Sequence, residues 1–260
     1  MEPAPFFADL ADGPPNGAAH RVRAEDGVRL RVGHWPGGGR GTVLLFPGRT
    51  EYVEKYGITA RAFAEAGLAT MVVDWRGQGL SERLIPDRAL GHVDDFAAYQ
   101  RDVAAMTDAA RALALPGPHY LLAHSMGGAI GLDALAGGLR VRAAAFSAPM
   151  WGLALPPALD APSRRIARLA RAAGLGAQPV PGNSGRDPYI ASQPFERNPL
   201  THDPDMWRRL VDQLRSRPEL AVGAPTLGWL AAAFDALDRL ARLPSPGVAA
   251  LTLLGGTDRV

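Results

Sequence analysis

Polar and apolar positions alternate over His20–Arg23 and again over Val28–His34, on either side of Glu25-Asp26-Gly27. Period-two alternation around a turn-forming triplet predicts a β-hairpin. Past the break at Gly37-Gly38-Gly39 the pattern changes: Thr42–Phe46 (TVLLF) is a short apolar run that ends at Pro47-Gly48. A run with no polar face suits a strand covered on both sides in a parallel sheet. Helical spacing follows over Tyr52–Ala66 and stops at Gly67. Further short apolar runs at Thr70–Val73, His119–Leu122 and Ala143–Phe146 predict strands, separated by helical patterns from about Asp94 to Leu113 and over Met126–Ala136.

Strand and helix therefore alternate repeatedly, which is the pattern of a parallel α/β sheet. From Pro149 to about Thr226 the alternation stops, in a stretch rich in Arg, Pro and Gly with weaker helical patches. That stretch reads as an insertion. Leu227–Leu243 resumes an amphipathic helix, and Ala249–Leu254 is the last apolar strand. The expected organisation is a first core part at 1–149, a cap insertion at 150–226 and a second core part at 227–260. Ahead of the hairpin, Met1 to Gly17 is a Pro-rich arm without the basic and apolar regions of a signal peptide. No stretch reaches the roughly 18 apolar residues needed to span a bilayer, so the expectation is a cytoplasmic protein, with contact at a membrane surface left open.

Composition narrows the chemistry. The 260 residues contain no Cys, which removes disulfide scaffolds, thiol nucleophiles, Cys-ligated zinc and iron–sulfur clusters. The pI is near 9.3, yet the net charge is only +2, and Lys55 is the sole lysine. Few groups titrate between about pH 7 and 10, so a small excess of Arg moves the pI far. The arginines are scattered rather than arranged in a basic stripe with aromatics, which argues against nucleic-acid binding. No His pair carries a metal-ligand spacing with a third partner, and nothing calls for a cofactor or a metal.

The sharpest local feature is Ala123-His124-Ser125-Met126-Gly127-Gly128, which follows an apolar strand and opens a helix. That is the setting of a nucleophile elbow, a strained strand-to-helix turn that lifts the Ser125 hydroxyl out of the sheet. Small residues two positions either side let the backbone turn; Gly127 fits, and Ala123 stands where glycine is usual. The helix N-terminus would also bring backbone N–H groups and a positive dipole end to developing negative charge. Phe46-Pro47-Gly48-Arg49-Thr50-Glu51 ends a buried strand where an oxyanion loop would sit, making the N–H groups of Arg49 and Met126 the expected donor pair. Asp74-Trp75-Arg76-Gly77-Gln78-Gly79-Leu80-Ser81 follows the next strand, and its charges are expected to fix a loop beside the site rather than to act on substrate.

The set FPGRTEYVEKY, VDWRGQGLSERL, GHVDDF, LLAHSMGGAI and LLGGTDRV resembles α/β-hydrolases of the lysophospholipase / monoacylglycerol lipase branch, with their serine-aminopeptidase-like domain. The similarity runs from about His20 to Val260, and NPLTHDPDMW with GAPTLGW looks like that family's cap. The resemblance implies a mostly parallel sheet with helices on both faces, a helical cap over an acyl-binding pocket, and a carboxylic ester hydrolase. It further implies Ser125 as nucleophile, Asp258 as the triad acid, and Arg49 and Met126 at the oxyanion hole. Asp258 directly follows the last apolar strand, and no carboxylate stands after Ala143–Phe146, where Ser147-Ala148-Pro149 follows. Dehalogenase or epoxide hydrolase chemistry on the same fold wants an Asp nucleophile, against Ser125.

The base is the difficulty. Serine hydrolysis of this type needs a His to take the Ser proton, and the chain order in this fold is Ser, then acid, then His. The six histidines are His20, His34, His92, His119, His124 and His202, and all precede Asp258. The simplest expectation is a chain that stops early, without its last strand, His loop and closing helix, and nearly inert as it stands. That leaves Ala249–Leu254 expected as an unpaired sheet edge. A non-catalytic binding protein on the same fold is the alternative.

Overall fold

The computed structural model describes residues 1–181, 194–198 and 200–256. Eight strands form one sheet: β1 (Glu2–Pro3), β2 (Ala18–Arg23), β3 (Arg29–Trp35), β4 (Thr42–Phe46), β5 (Ala69–Asp74), β6 (His119–His124), β7 (Ala144–Ser147) and β8 (Ala250–Leu253). Their spatial order is β1-β2-β3-β5-β4-β6-β7-β8. The first three pair antiparallel, as does β3 with β5; from β5 to β8 every pairing is parallel. The expected hairpin and the expected parallel sheet are both present, and β4 is buried at all five positions.

The helices among the described residues are α1 (Ala8–Ala11), α2 (Gly57–Glu65), α3 (Ala98–Ala112), α4 (Met126–Ala136), α5 (Pro157–Ala172), α6 (Pro204–Ser216) and α7 (Leu227–Leu240). They cover both sheet faces because alternate strand residues point to opposite sides. Leu44 and Phe46 of β4 pack with Met71, Leu121 and Ala123 against Val103 and Met106 of α3, Ile130 of α4 and Trp229 of α7. Leu45 points the other way and packs with Val72, Trp35 and Ala60 of α2.

Local side chains explain where the elements depart from their sequence patterns. The helix predicted from Tyr52 begins as a 3-10 turn, Val53–Tyr56, whose first N–H is taken by Asp74 Oδ1 at 2.8 Å. It becomes α-helical at Gly57, where a Cβ would run into the Ala11 carbonyl. The helix predicted from about Asp94 starts only at Ala98, after Asp95 has closed a turn on the N–H of Ala97 at 2.8 Å. The Pro-rich arm is not loose: it contributes β1 and α1.

The stretch that looked weakly helical holds two substantial helices, α5 and α6. The sequence pattern of α5 misleads because its charged side faces the protein. Arg164 and Arg168 pair with Asp238 of α7, and Arg168 and Arg171 pair with Asp235, at 2.6–2.9 Å, while Leu159, Ile166 and Leu169 are exposed. At the far side of the sheet all four β8 residues are exposed, and β8 pairs only with β7 among the described residues. No described helix is long and apolar enough to cross a membrane.

Candidate active site

Three neighbouring parallel strands, β4, β6 and β7, deliver their C-terminal loops to one edge of the sheet. Each loop holds a non-glycine residue in the left-handed half of backbone space: Thr50 at φ 65°, Ser125 at 51° and Ala148 at 42°. Such conformations are unfavourable for L-residues and persist only where surrounding contacts over-determine them. For Ser125, whose ψ is −121°, those contacts are explicit. Its N–H donates to the Ser147 carbonyl at 3.1 Å, and its own carbonyl accepts from Gly128 and Met150, both at 2.8 Å.

The glycines after Ser125 permit this turn because α4 starts in contact with the β4 loop. A Cβ at Gly127 would strike the carbonyl oxygens of Phe46 and Pro47, and one at Gly128 would meet Pro149 Cβ at 2.5 Å. A Cβ at Gly48 would lie 3.1 Å from Ser125 Cβ, which places the β4 loop directly beside the serine. Trp75 Nε1 donates to the Pro47 carbonyl at 2.9 Å, and the N–H of Thr50 donates to Gln78 Oε1 at 2.5 Å. Among the described residues the backbone N–H groups of Arg49 and Met126 meet no acceptor. Two unsatisfied donors beside a strained, half-buried hydroxyl, at a helix N-terminus, can attract a developing oxyanion.

Glu51 was legible only as one letter of a motif, and the structure gives it a definite place. Its carboxylate accepts from the N–H of Gly48, from Lys55 Nζ and from the Tyr56 hydroxyl, and lies 3.6 Å from His124 Nε2. Burial opposes its charge, but Lys55 and His124 outweigh that and, with the hydrogen bonds, hold the carboxyl at about 2. The sole lysine, four residues after Glu51 in the segment that follows a buried strand, was the available signal.

The Arg49 side chain runs away from the serine. Its Nη2 donates to the Gly223 carbonyl at 2.6 Å, its guanidinium lies 5.3 Å from the Trp229 ring centroid, and its buried Nε has no acceptor. Burial pushes this guanidinium down to about 10. It ties the β4 loop to the segment entering α7. That segment is also stitched to the loop before α3, through the N–H of Gly223 to the Ala89 carbonyl at 2.7 Å and the N–H of Thr226 to the Gly91 carbonyl at 3.1 Å.

The loop after β5 is braced by charges, as its sequence implied. Buried Arg31 makes two 2.8 Å bonds to Glu54 and one of 2.7 Å to Asp74. Asp74 also accepts from the N–H groups of Val53 and Leu80. Arg76 holds Asp102 and Asp26. Its hydrogen bond lowers Asp26 to about 2, whereas burial raises Asp102 to about 6 despite the same partner.

All six histidines are described, and none hydrogen-bonds Ser125. His124 Nδ1 is engaged with the Ser147 carbonyl at 3.0 Å, so its ring turns from the hydroxyl. His92 bridges Thr226 Oγ1 at 2.7 Å and Asp94 at 3.1 Å. His20 and His34 stack on each other, His119 begins β6 at the end remote from Ser125, and His202 is exposed before α6. Asp258 lies outside the described residues. No group of three or more His, Asp or Glu among the described residues is placed to hold a metal.

The family model for serine aminopeptidase, S33, matches residues 38–260. Lysophospholipase L2 of Escherichia coli K12 is 36% identical over 208 residues, covering 78% of this chain. The chain spans 58% of that relative's length. Among solved structures, a soluble variant of monoglyceride lipase from Saccharomyces cerevisiae superposes with a TM-score of 0.59 at 21% identity, over 84% of this chain and 68% of the other. Monoacylglycerol lipase of Paleococcus ferrophilus gives a TM-score of 0.62 at 20% identity, over 87% and 77% respectively. At those identities the two structures speak for the fold alone.

Proposed function

Since the chain belongs to the serine aminopeptidase, S33 family, within the lysophospholipase and monoacylglycerol lipase branch of the α/β-hydrolases, we propose that it is a serine ester hydrolase acting on lysophospholipids, monoacylglycerols or similar single-chain esters. The observation that carries this reading is Ser125, held at φ 51° beside the N–H groups of Arg49 and Met126 that have no acceptor. In the proposed reaction the Ser125 hydroxyl attacks the ester carbonyl, and the carbonyl oxygen, now negative, receives those two N–H groups. The base that takes the Ser125 proton returns it to the leaving alcohol, and water then clears the acyl group from Ser125 as the carboxylic acid. Asp258 is the proposed acid that orients the base. Residues 150–226, with α5 and α6, are the proposed cap over the acyl chain. A cytoplasmic protein meeting its lipid at a membrane surface fits the same reading.

None of the six histidines hydrogen-bonds Ser125, so these 260 residues by themselves are proposed to turn esters over very slowly. In a serine protease, loss of the His alone costs about 10⁶-fold in turnover. The same observation favours a second reading, a binding protein that keeps the fold without the chemistry. A fluorophosphonate probe separates the two. Labelling at Ser125, accelerated when a triad histidine is supplied and abolished by Ser125→Ala, is expected of the hydrolase. No labelling in either chain sinks it and leaves the binding protein.

A further inference from the structure

The N–H of Arg49 belongs to a peptide whose two neighbours are both pinned. In the peptide before it, Trp75 Nε1 holds the Pro47 carbonyl at 2.9 Å and Glu51 takes the N–H of Gly48. In the peptide after it, the Thr50 hydroxyl donates to the Arg49 carbonyl at 2.6 Å, and Gln78 Oε1 accepts from the N–H of Thr50 at 2.5 Å. The direction of the Arg49 N–H follows from these anchors, since each peptide is planar and only the dihedrals between peptides are free.

Gln78 does more than close one of those bonds. The N–H of Thr50 can only donate, so the amide oxygen of Gln78 faces it and the NH2 group is turned to Met126 Sδ, 3.9 Å away. One buried side chain thus reaches both the residue after Arg49 and Met126, which arrive on separate loops, after β4 and β6. Its own support is rigid. The N–H of Gln78 donates to the Trp75 carbonyl and its carbonyl accepts from Ser81, both at 3.0 Å. Gly77 and Gly79 flank it at φ 79° and 49°, and a Cβ at Gly79 would strike the Asp74 carboxylate that Arg31 holds.

We propose that Gln78 is a positioning residue of the oxyanion hole, which through Thr50 and Met126 sets the spacing and direction of the Arg49 and Met126 N–H groups. The inference rests on the serine-hydrolase reading of the site. Donors stabilise a developing oxyanion to the extent that they need not reorganise when it forms. Two loops that meet only at the substrate would drift independently, and a shared uncharged amide couples them without adding a charge beside the reacting oxygen.

Two measurements on Gln78→Met, which lacks the acceptor at similar length, and Gln78→Glu, which keeps it, test this. In the 260-residue chain, amide hydrogen exchange at Thr50 is expected to quicken about tenfold or more in Gln78→Met and to return toward the parent rate in Gln78→Glu, with the Arg49 and Met126 amide signals moving in the first variant. In a chain supplied with a triad histidine, Gln78→Met should slow fluorophosphonate labelling of Ser125 by about tenfold or more, Gln78→Glu should restore most of it, and Gln100→Met on α3 should leave it unchanged. Unmoved Arg49 and Met126 signals, labelling as fast in Gln78→Met as in the parent, or equal slowing by both Gln78 variants overturns the proposal. If the parent itself is not labelled, the hydrolase reading fails, and the amide signals still decide whether Gln78 sets the two loops. Should Gln78→Met not fold, the parent chain suffices: Thr50 must exchange at least about tenfold more slowly than Arg49 and Met126, whose N–H groups meet no acceptor among the described residues, and equal rates overturn the proposal.

Discussion

Four arginines around the loops beside Ser125 divide into two kinds. Arg31 is buried against Glu54 of the 3-10 turn and Asp74 at the end of β5, and Arg76 against Asp102 of α3 and Asp26 of the β2–β3 turn. Arg49 and Arg83 have main-chain carbonyls as their only hydrogen-bond acceptors among the described residues, and both reach the same segment, at Gly223 and Ala221. Burial alone therefore does not tell a brace from a working group. A guanidinium matched by carboxylates closes its own electrostatic account within the fold. One that meets carbonyls alone ties the core to the 221–223 segment and keeps its charge uncompensated by any carboxylate among the described residues.

The comparison breaks most readily at Arg31. Arg31→Leu strands Glu54 and Asp74 as buried charges, and a loss of about 3–5 kcal/mol is expected in urea denaturation. A loss below about 1 kcal/mol would mean that the carboxylate pairing is not what distinguishes the two kinds.

Glu51 sharpens it from the acid side, because its carboxylate serves a backbone N–H of the Ser125 region as well as a cation. Its carboxyl is held at about 2, below the ordinary 4.5. The stabilisation is therefore fully present above about pH 4.5 and fades as pH falls toward 2, an effect of about 3 kcal/mol. Stability measured against pH should show that slope in the parent chain, and Glu51→Gln should flatten it.

The smallest effect is expected at Arg49. Arg49→Met leaves no carboxylate stranded, so the change in stability should stay within about 1 kcal/mol. Loss of the tether to Gly223 should instead slow fluorophosphonate labelling of Ser125, by about tenfold, the worth of one charge-assisted hydrogen bond. A large loss of stability with unchanged labelling would move Arg49 into the class of Arg31.

Much of the frame could be read from residue order. TVLLF stated a doubly covered strand, and the Met126–Ala136 pattern gave α4 to the residue. Ser125 was legible because a strand, a small-residue turn and a helix follow one another without a gap. Other parts were hidden for physical reasons. Hydrophobic periodicity under-read α5, since its inner face is held by Arg–Asp pairs and its apolar side chains point outward. The partner of Arg31 could not be read either, because Glu54 and Asp74 stand 23 and 43 positions away and meet it only through the sheet.

The sequence by itself determined the alternation of strands and helices, the candidate nucleophile and the placement of all six histidines ahead of Asp258, because each depends on local order and residue type. Only the tertiary structure decided which charges cancel. Strands β3 and β5 are distant in sequence yet adjacent in the sheet, so Arg31 finds Asp74, while Arg49 and Arg83 are carried to a seam that offers carbonyls alone. Electrostatic partnership falls off with distance in space and not along the chain, and that is why the two kinds of arginine look alike until the chain is folded.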